Sequence, residues 1–405
     1  MGLEKKREHD KFIGSPTGEH ASMAAMKSQV SIVRCPEYEL PAVEAAVRQA
    51  CDAAGFPEVA GKTVLFKPNI LRGAEPERAV STHPTVLRAA IRYAKSRGAA
   101  KVLVGESPSF QVGNAAFKKS GLLDAAAEEG AEWVDFSDGV QVDNPEGKLV
   151  KNFTIARAAV DADVLVSLCK LKNHRLMYYT GAMKNLFGCV PGLQKSQFHL
   201  RFPERASFGR MLTDLNLALR CEFSLMDAVV GMEGPGPSAG TPRQVGAILA
   251  SRDPVALDRS ACRIIGLDPR LVVNLEDALG RGVWIGSDDD IEILGTRPEE
   301  FRIDDWKMVP RDSTSRREMP SVMRNLVVGR PFFSRNKCIA CGACVTICPG
   351  KALDLVPDPK AKAKRRIEVD YTKCIRCYCC HEVCPEDAIV VRRIRPLGAQ
   401  WRVRA

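Results

Sequence analysis

Several common features are missing from this 405-residue sequence, and each absence excludes a class of protein. No run of apolar residues approaches the ~18 to 20 that a membrane-spanning helix needs. The charged segment 1–10 is not followed by the apolar core of a secretion signal, so we expect a cytoplasmic protein. Aromatic residues make up only 6% of the chain and do not alternate with its basic residues, so the net charge of +10 does not indicate nucleic-acid binding.

Nucleotide-binding loops are missing as well. The first candidate strand is not followed by a Gly-x-Gly-x-x-Gly turn, and no Gly-Lys-Ser/Thr loop occurs in the chain. Backbone N–H groups in such loops hold the phosphates of nicotinamide cofactors and of ATP. Neither cofactor is therefore predicted, and a flavin or an additional metal ion likewise lacks a supporting motif.

Cysteine, in contrast, is abundant, and nine of the 15 cysteines fall between Cys338 and Cys384. The run C-x2-C-x2-C-x3-C-P that starts at Cys338 is repeated 36 positions later, starting at Cys374. This duplicated run is typical of bacterial ferredoxins, in which three thiolates of one run and the fourth of the other hold each [4Fe–4S] cluster. Residues 335–395 resemble these two-cluster ferredoxins. The metal ligands of one cluster are predicted to be Cys338, Cys341, Cys344 and Cys384, and those of the other Cys374, Cys377, Cys380 and Cys348.

A pair of zinc sites is the alternative interpretation of these cysteines. Zinc also uses C-x2-C pairs, but it requires neither the duplicated four-cysteine run nor the prolines that end both copies, Pro349 and Pro385. Iron is therefore favoured. Cys379 is a ninth cysteine in this region, and we interpret it as a buried residue that binds no cluster.

The larger part of the chain alternates short β-branched runs with helical periodicity, which predicts an α/β domain with a mostly parallel sheet, flanking helices and Rossmann-like layering. The clearest candidate strands are 63–66, 101–105, 163–168 and 245–250. Ligands of such sheets bind beyond the carboxyl ends of the strands. Polar residues directly after each strand are therefore candidate site residues.

Polar residues do follow these strands, and lysine is frequent among them. If they converge, they form a cationic cleft for carboxylate or phosphate groups. His174 is the preferred acid–base candidate, because imidazole exchanges a proton near neutral pH. The candidate catalytic residues are His174, Lys184 and Lys170. The candidate substrate-binding residues are Lys67, Asn69, His83, Glu106, Ser107, Lys172, Asn173, Asn185 and Asp253.

Several short motifs in this part of the chain resemble the DUF362 family, a domain of unassigned function that often precedes a ferredoxin module. They are Lys67-Pro-Asn, Thr82-His-Pro, Gly105-Glu-Ser-Pro, Lys170-x-Lys-x-His, Met183-Lys-Asn-Leu-Phe-Gly and Asp253-Pro-Val-Ala-Leu-Asp. The resemblance spans most of residues 31–305. It implies a family but no reaction.

The predicted organisation is a flexible segment 1–28, an α/β domain 29–310, a linker 311–334, a small α+β ferredoxin-like domain 335–396 and a basic tail 397–405. Two functions are compatible with it. In the first, electrons pass through two [4Fe–4S] clusters to or from a small anionic substrate, which makes the chain an oxidoreductase served by an electron-donor or acceptor protein. In the second, the chain is a non-catalytic electron-transfer or metallocentre-maturation partner of another protein, which docks on the basic tail and the basic connection 358–366.

Overall fold

The computed structural model describes residues 27–107, 115–192, 194–310 and 328–392. The predicted basic tail lies outside these residues, as do all but the last two residues of the predicted N-terminal segment and most of the predicted linker. None of the helices described is both long enough and apolar enough to cross a membrane.

Strands of the larger domain are β1 Ser28–Arg34, β2 Thr63–Pro68, β3 Lys101–Glu106, β4 Glu132–Asp135, β5 Gly139–Asp143, β6 Asn152–Ala156, β7 Val164–His174, β8 Tyr178–Thr180, β9 Phe223–Glu233, β10 Thr241–Ser251 and β11 Ile291–Gly295. Its helices are α1 Leu40–Ala53, α2 Pro84–Ser96, α3 Ala115–Lys119, α4 Leu122–Glu128, α5 Arg157–Asp161, α6 Ala182–Asn185, α7 Gln194–Arg201, α8 Arg205–Leu219, α9 Pro254–Ile264 and α10 Val273–Arg281.

One nine-stranded sheet organises this domain, in the order β11-β1-β10-β9-β7-β2-β3-β4 with β8 beside β7. The predicted mostly parallel sheet with flanking helices is confirmed, since β2 runs parallel to β3 and β7, and β7 parallel to β9. Strand β10, the fourth candidate strand, differs because it is antiparallel to both β1 and β9. A connection as short as that between β9 and β10 permits only a hairpin, whereas parallel neighbours need a long crossover.

Helices α2 and α9 both begin with a side-chain cap followed by proline, which suits the first helical turn. His83 caps α2 by accepting a hydrogen bond from the Thr85 N–H at Nδ1, 3.2 Å away. Asp253 caps α9 by accepting from the N–H groups of Val255 and Ala256. These caps fix where the chain leaves the sheet edge and enters each helix.

The C-terminal module consists of β12 Arg330–Phe333, α11 Ala343–Ile347, β13 Leu353–Pro357, β14 Arg365–Val369, α12 Cys379–Val383 and β15 Ile389–Arg392. β12 pairs with β15 and β13 with β14, both antiparallel, so the predicted small ferredoxin-like α+β domain is confirmed. Because β12 completes the first pair, the module includes residues ahead of its predicted start at 335.

The module lies against the carboxyl ends of the sheet. Asp387 accepts hydrogen bonds from Arg72 at 2.9 Å and from Arg78 at 2.8 Å, both on the segment that follows β2. Ser238, which follows β9, donates to the His381 carbonyl at 3.4 Å. The cysteine module therefore covers the carboxyl ends of the strands, where ligands of open α/β domains bind.

Candidate functional site

Two cavities in the module are each surrounded by one of the predicted sets of four cysteines. Cys338, Cys341, Cys344 and Cys384 line the first, here called the outer cavity. Cys348, Cys374, Cys377 and Cys380 line the second, the inner cavity. Each set takes three thiols from one copy of the motif and the fourth from the other copy, which is the donor arrangement of a two-cluster ferredoxin. The residues present therefore fit iron–sulfur clusters.

Backbone geometry favours this arrangement. Ala340 and Gly342 in the first copy have φ of 57° and 76°, and the equivalent Arg376 and Tyr378 have φ of 61° and 66°. These left-handed residues turn each loop tightly enough for its first three thiols to face one point.

A site for a single metal ion is a separate question from the cluster cavities. In the residues described, no three histidine, cysteine, aspartate or glutamate side chains are placed to hold one ion.

A third cavity, the cleft, lies between the module and the carboxyl ends of β2, β3 and β7, and has a volume of about 70 Å³. Seven of the predicted residues line it: Lys67, Asn69, Glu106, Ser107, Lys172, Lys184 and Asn185. The sequence did not single out five other polar residues that line it: Thr180, Lys195, Ser196, His199 and Glu382. Polar residues from successive strand ends thus come together, and α7 and the module complete the walls.

Lys67 and Glu106 form a buried ion pair at the base of the cleft. Lys67 Nζ also donates to Asn185 Oδ1 at 2.9 Å, and Asn185 donates to the Lys67 carbonyl at 3.0 Å. Gly188 is required here, because a Cβ atom would lie 2.3 Å from Lys67 Nζ and 2.2 Å from Glu106 Oε1. The glycine of the Met-Lys-Asn-Leu-Phe-Gly motif therefore makes room for this pair.

Other polar atoms in the cleft lack protein partners. Asn69 Oδ1, Thr180 Oγ1 and His199 Nδ1 are buried without a hydrogen bond from any described residue. The Lys184 ammonium likewise has no hydrogen bond or ion pair within 27–107, 115–192, 194–310 and 328–392. Buried polar groups without partners are costly unless water or a ligand satisfies them. The cleft therefore contains polar groups that either water or a ligand can satisfy.

Burial changes the protonation of the lysines in the cleft. It lowers the pKa of Lys184, and it lowers the pKa of Lys172 well below its usual value, with the nearby Lys184 charge adding to the effect. It also lowers the pKa of Lys195 to about 8. Lys172 donates to the Val80 carbonyl at 2.7 Å, and Lys195 donates to the Ser107 carbonyl. An opposite charge next to these lysines would favour their charged form, because it would offset the loss of hydration caused by burial.

The module contributes the remaining wall through Ile347, Cys379, Glu382 and Val383. Cys379 lines the inner cavity too, and is therefore the residue that separates this cavity from the cleft. Cys379 is buried, and that it binds no cluster stays a prediction.

His174, the buried last residue of the long strand β7, is not among the residues that line the cleft. Its Nδ1 accepts hydrogen bonds from the N–H groups of Leu176 and Met177, at 3.1 and 3.2 Å. A neutral ring therefore carries its proton on Nε2, which lies 3.3 Å from Glu382 Oε1. Burial lowers the pKa of His174 to about 3, so this neutral form predominates. The ring faces Glu382 of the module.

Comparison with known proteins identifies both parts of the chain. A family model described as a domain of unknown function, DUF362, matches residues 64–263, and one described as a 4Fe-4S dicluster domain matches residues 337–388. A thylakoid-associated protein of Synechocystis sp. is 31% identical over 290 residues, which make up 70% of this chain and 88% of that protein. The chain belongs to the DUF362 family. Its dicluster domain makes it an iron–sulfur electron-transfer protein.

Two solved structures are more distant from this DUF362 chain. A structural-genomics protein from Thermotoga maritima is 14% identical, with a TM-score of 0.35, over 52% of this chain and 55% of that one. The lactate racemase apoprotein of Thermoanaerobacterium thermosaccharolyticum is 15% identical, with a TM-score of 0.36, over 56% of this chain and 54% of that one. The chain thus spans about half the length of each, and the function has to be argued from the site.

Lys170 and His83 belong to a separate polar cluster of the DUF362 domain. Lys170 Nζ lies 2.7 Å from Asp227 Oδ2 and donates to the Tyr38 hydroxyl at 2.9 Å. The Tyr38 and His83 rings stack with their centroids 3.6 Å apart, and the His83 N–H donates to Asp227. Burial lowers the pKa of Lys170, while Asp227 opposes this effect. Lys170 is therefore held by internal partners and does not line the cleft.

Asn173 and Asp253 also lie away from the cleft. Asn173 donates to the carbonyls of Gly234 and Lys307 and accepts from the Trp306 indole, so it ties strand β7 to two loops. Asp253, besides capping α9, accepts from the Ser28 hydroxyl at 2.7 Å. Both residues hold structure together in this DUF362 domain.

Proposed function

We propose that the chain is an iron–sulfur oxidoreductase that transfers electrons between two [4Fe–4S] clusters and a small anionic substrate bound in the cleft. In this proposal Cys338, Cys341, Cys344 and Cys384 hold the outer cluster, and Cys348, Cys374, Cys377 and Cys380 hold the inner one. The observation that carries the proposal is that Cys379 lines both the inner cavity and the cleft.

An anionic substrate fits the charges of the cleft. Four lysines but only two glutamates line it, so the walls carry excess positive charge when the lysines are protonated. Lys184 has no described ion-pair partner, and Lys172 and Lys195 each donate only one hydrogen bond to a backbone carbonyl. Because an ammonium has three N–H donors, most of their donors remain for carboxylate or phosphate oxygens.

The walls also orient such a substrate. The lysines belong to the DUF362 domain, whereas the module contributes three weakly polar or apolar side chains, Ile347, Cys379 and Val383, together with the carboxylate of Glu382. An anion bound to the lysines therefore directs its remaining atoms towards Cys379. When bound, the clusters supply single electrons at low potential. A substrate held in one place beside the inner cavity needs no further motion to receive them.

Reduction of an organic substrate also consumes protons, and Lys195 is the best-placed donor. Its ammonium lies in the cleft wall, and its pKa of about 8 is close to physiological pH. General acids work best when their pKa lies near the working pH. His174, in contrast, faces Glu382, and His199 has a pKa that burial lowers to about 4, so it is a weak proton donor in its neutral form.

The experiment is anaerobic reoxidation of the dithionite-reduced protein by a panel of small carboxylates and phosphate esters. We expect at least one compound to reoxidise the clusters, and we expect Lys184→Met to raise the required concentration at least tenfold. Lys151→Met is the matched control, since Lys151 is exposed on the β5–β6 hairpin and donates only to the Pro145 carbonyl. Equal behaviour of the two variants would remove Lys184 from the site.

Binding gives a second readout. Malonate and inorganic phosphate, used as probes, are expected to raise the melting temperature of the parent protein more than that of Lys184→Met. If no anion affects the melting temperature or the clusters, and a partner protein co-purifies instead, the chain is a non-catalytic electron-transfer partner.

A further inference from the structure

The two cluster cavities differ in their access to solvent. Cys377 and Cys380 of the inner cavity are buried, and the module docks on the DUF362 domain at this end. Cys341 of the outer cavity is exposed, and the adjacent Ile339 is 49% exposed. An exposed cluster ligand beside an exposed apolar side chain is the arrangement expected where a redox partner approaches.

Positive charge surrounds this exposed loop. Arg335 and Lys337 precede Cys338 and are both exposed. The basic connection between β13 and β14 is fixed beside them, because the Lys362 N–H donates to the Arg335 carbonyl at 3.2 Å. Arg335 also pairs with Asp358 at 2.8 Å. The cations of the connection, Lys360, Lys362 and Lys364, are exposed as well.

We call the surface formed by Arg335, Lys337, Ile339, Cys341, Lys360 and Lys362 the outer face. Asp358 and Glu386 are carboxylates of this part of the module. Asp358 is buried and is neutralised by Arg335 and, at 3.7 Å, by Arg366. Glu386 is exposed and lines the outer cavity. Cations therefore outnumber free carboxylates on this face, which combines an apolar centre with a basic rim.

We propose that the outer face is the docking surface for an acidic electron-carrier protein. The proposal rests on the proposed function in one respect, namely that electrons enter at the outer cysteines and leave at the cleft. In each encounter the carrier loses one electron and the outer cluster gains it, without proton transfer. Opposite charges on two such surfaces steer the encounter and orient the partners, so the association weakens as salt increases.

The test is the affinity of the oxidised holoprotein for an oxidised acidic two-cluster bacterial ferredoxin, measured by calorimetry at low and high salt. The test variant is Lys337→Glu with Lys362→Glu. The matched control is Lys148→Glu with Lys151→Glu, which makes the same charge change on exposed positions of the β5–β6 hairpin. We expect the dissociation constant to rise at least tenfold in the test variant and less than threefold in the control.

Equal weakening in both variants, or no weakening in either, would overturn the proposal. Iron content and reduction by dithionite, unchanged in both, verify that the clusters are intact. The two proposals fail separately. If the test variant binds the carrier as tightly as the parent and a small anion reoxidises the clusters, only the proposed docking surface is rejected. If the test variant binds the carrier more weakly but no anion reoxidises the clusters, only the proposed enzymatic activity is rejected.

Discussion

The two copies of the cysteine motif share a backbone but face different surroundings. Both place left-handed residues at equivalent positions, and both continue into a short helix, α11 or α12. Where the first copy has Gly342, Ala343, Val345 and Thr346, the second has Tyr378, Cys379, His381 and Glu382. Each of these four residues of the second copy contacts the DUF362 domain or lines the cleft.

This difference separates two roles of the motif. The cysteines and the turns that present them are common to both copies, so they suffice to form a cavity for a cluster. The other side chains are free to diverge, and they have done so where the second copy meets the sheet. In the first copy the equivalent residues are smaller, and Thr346 is exposed whereas Ala343 is buried. The first copy contributes Ile347 to the wall of the cleft, whereas the second contributes Cys379, Glu382 and Val383.

The strongest test of this comparison removes one thiol from each copy. Cys341→Ala and Cys377→Ala are each expected to lower the iron content from about eight to about four per chain, because each removes one ligand set. Only Cys377→Ala should also abolish the effect of malonate on the melting temperature, because its cavity shares a wall with the cleft. Iron analysis and thermal denaturation under nitrogen measure both. An equal loss of malonate response in Cys341→Ala would contradict the assignment of roles.

A second test replaces equivalent helix residues. Glu382→Ala removes the buried carboxylate that faces the neutral His174 ring and offsets the Lys184 charge, and is expected to lower the free energy of unfolding by roughly 1.5 to 3 kcal/mol. Thr346→Ala alters the exposed equivalent and should change it by less than about 0.5 kcal/mol. Urea denaturation followed by circular dichroism is the measurement. Similar losses of stability in both variants would show that α12 contributes no more to the contact with the DUF362 domain than α11 does.

A third test uses pH. The pKa of Lys195 is about 8 in the folded protein and has its ordinary value of 10.5 when unfolded. Between these values the unfolded chain binds more protons, so the contribution of this residue to stability rises with pH. Relative to Lys195→Met, the parent protein should gain roughly 2 to 3 kcal/mol between pH 8 and 10.5. Unfolding at several pH values measures the gain, and a difference between the two proteins that does not vary with pH would exclude the lowered pKa.

The smallest expected effects concern the left-handed residues. Tyr378 donates to the Gly329 carbonyl at 2.8 Å, so Tyr378→Phe should cost about 1 kcal/mol of stability. At Gly342 an added Cβ meets no atom within 4 Å, so Gly342→Ala should cost only the ~1 kcal/mol of the left-handed backbone. Thermal denaturation of the two variants and the parent protein measures both losses of stability. A much larger cost for Gly342→Ala would show that the first loop, too, is packed against a neighbour.

The cluster ligands were predictable because their signal is local: spacing within one short loop, repeated once. The strands were predictable for the same reason, as their buried β-branched runs show. The direction of β10 was not, because a parallel and an antiparallel strand have the same periodicity. From the sequence, the third strand was predicted to end at residue 168, with His174 in the loop after it. Strand β7 instead continues to His174, because polar residues can also lie within a buried strand.

The cleft was predictable only in part, because residues distant in sequence form it. Strand ends indicated Lys67 and Lys184, but the same rule also selected Lys170, which points into another cluster. Lys195 and His199 were missed, although their spacing of four places them on one face of α7. Glu382 could also have been found from the sequence, because the equivalent residue of the first copy is the uncharged Thr346.

The shared wall of the cleft has a consequence for the life of the protein in the cell. Ile347, Cys379, Glu382 and Val383 take their places only when the cysteine loops around them are folded, and such loops fold around their metal. A newly made chain therefore has no finished pocket until iron and sulfide have been delivered to it. Under the proposed function, delivery of iron and sulfide is therefore required for substrate binding as well as for electron transfer.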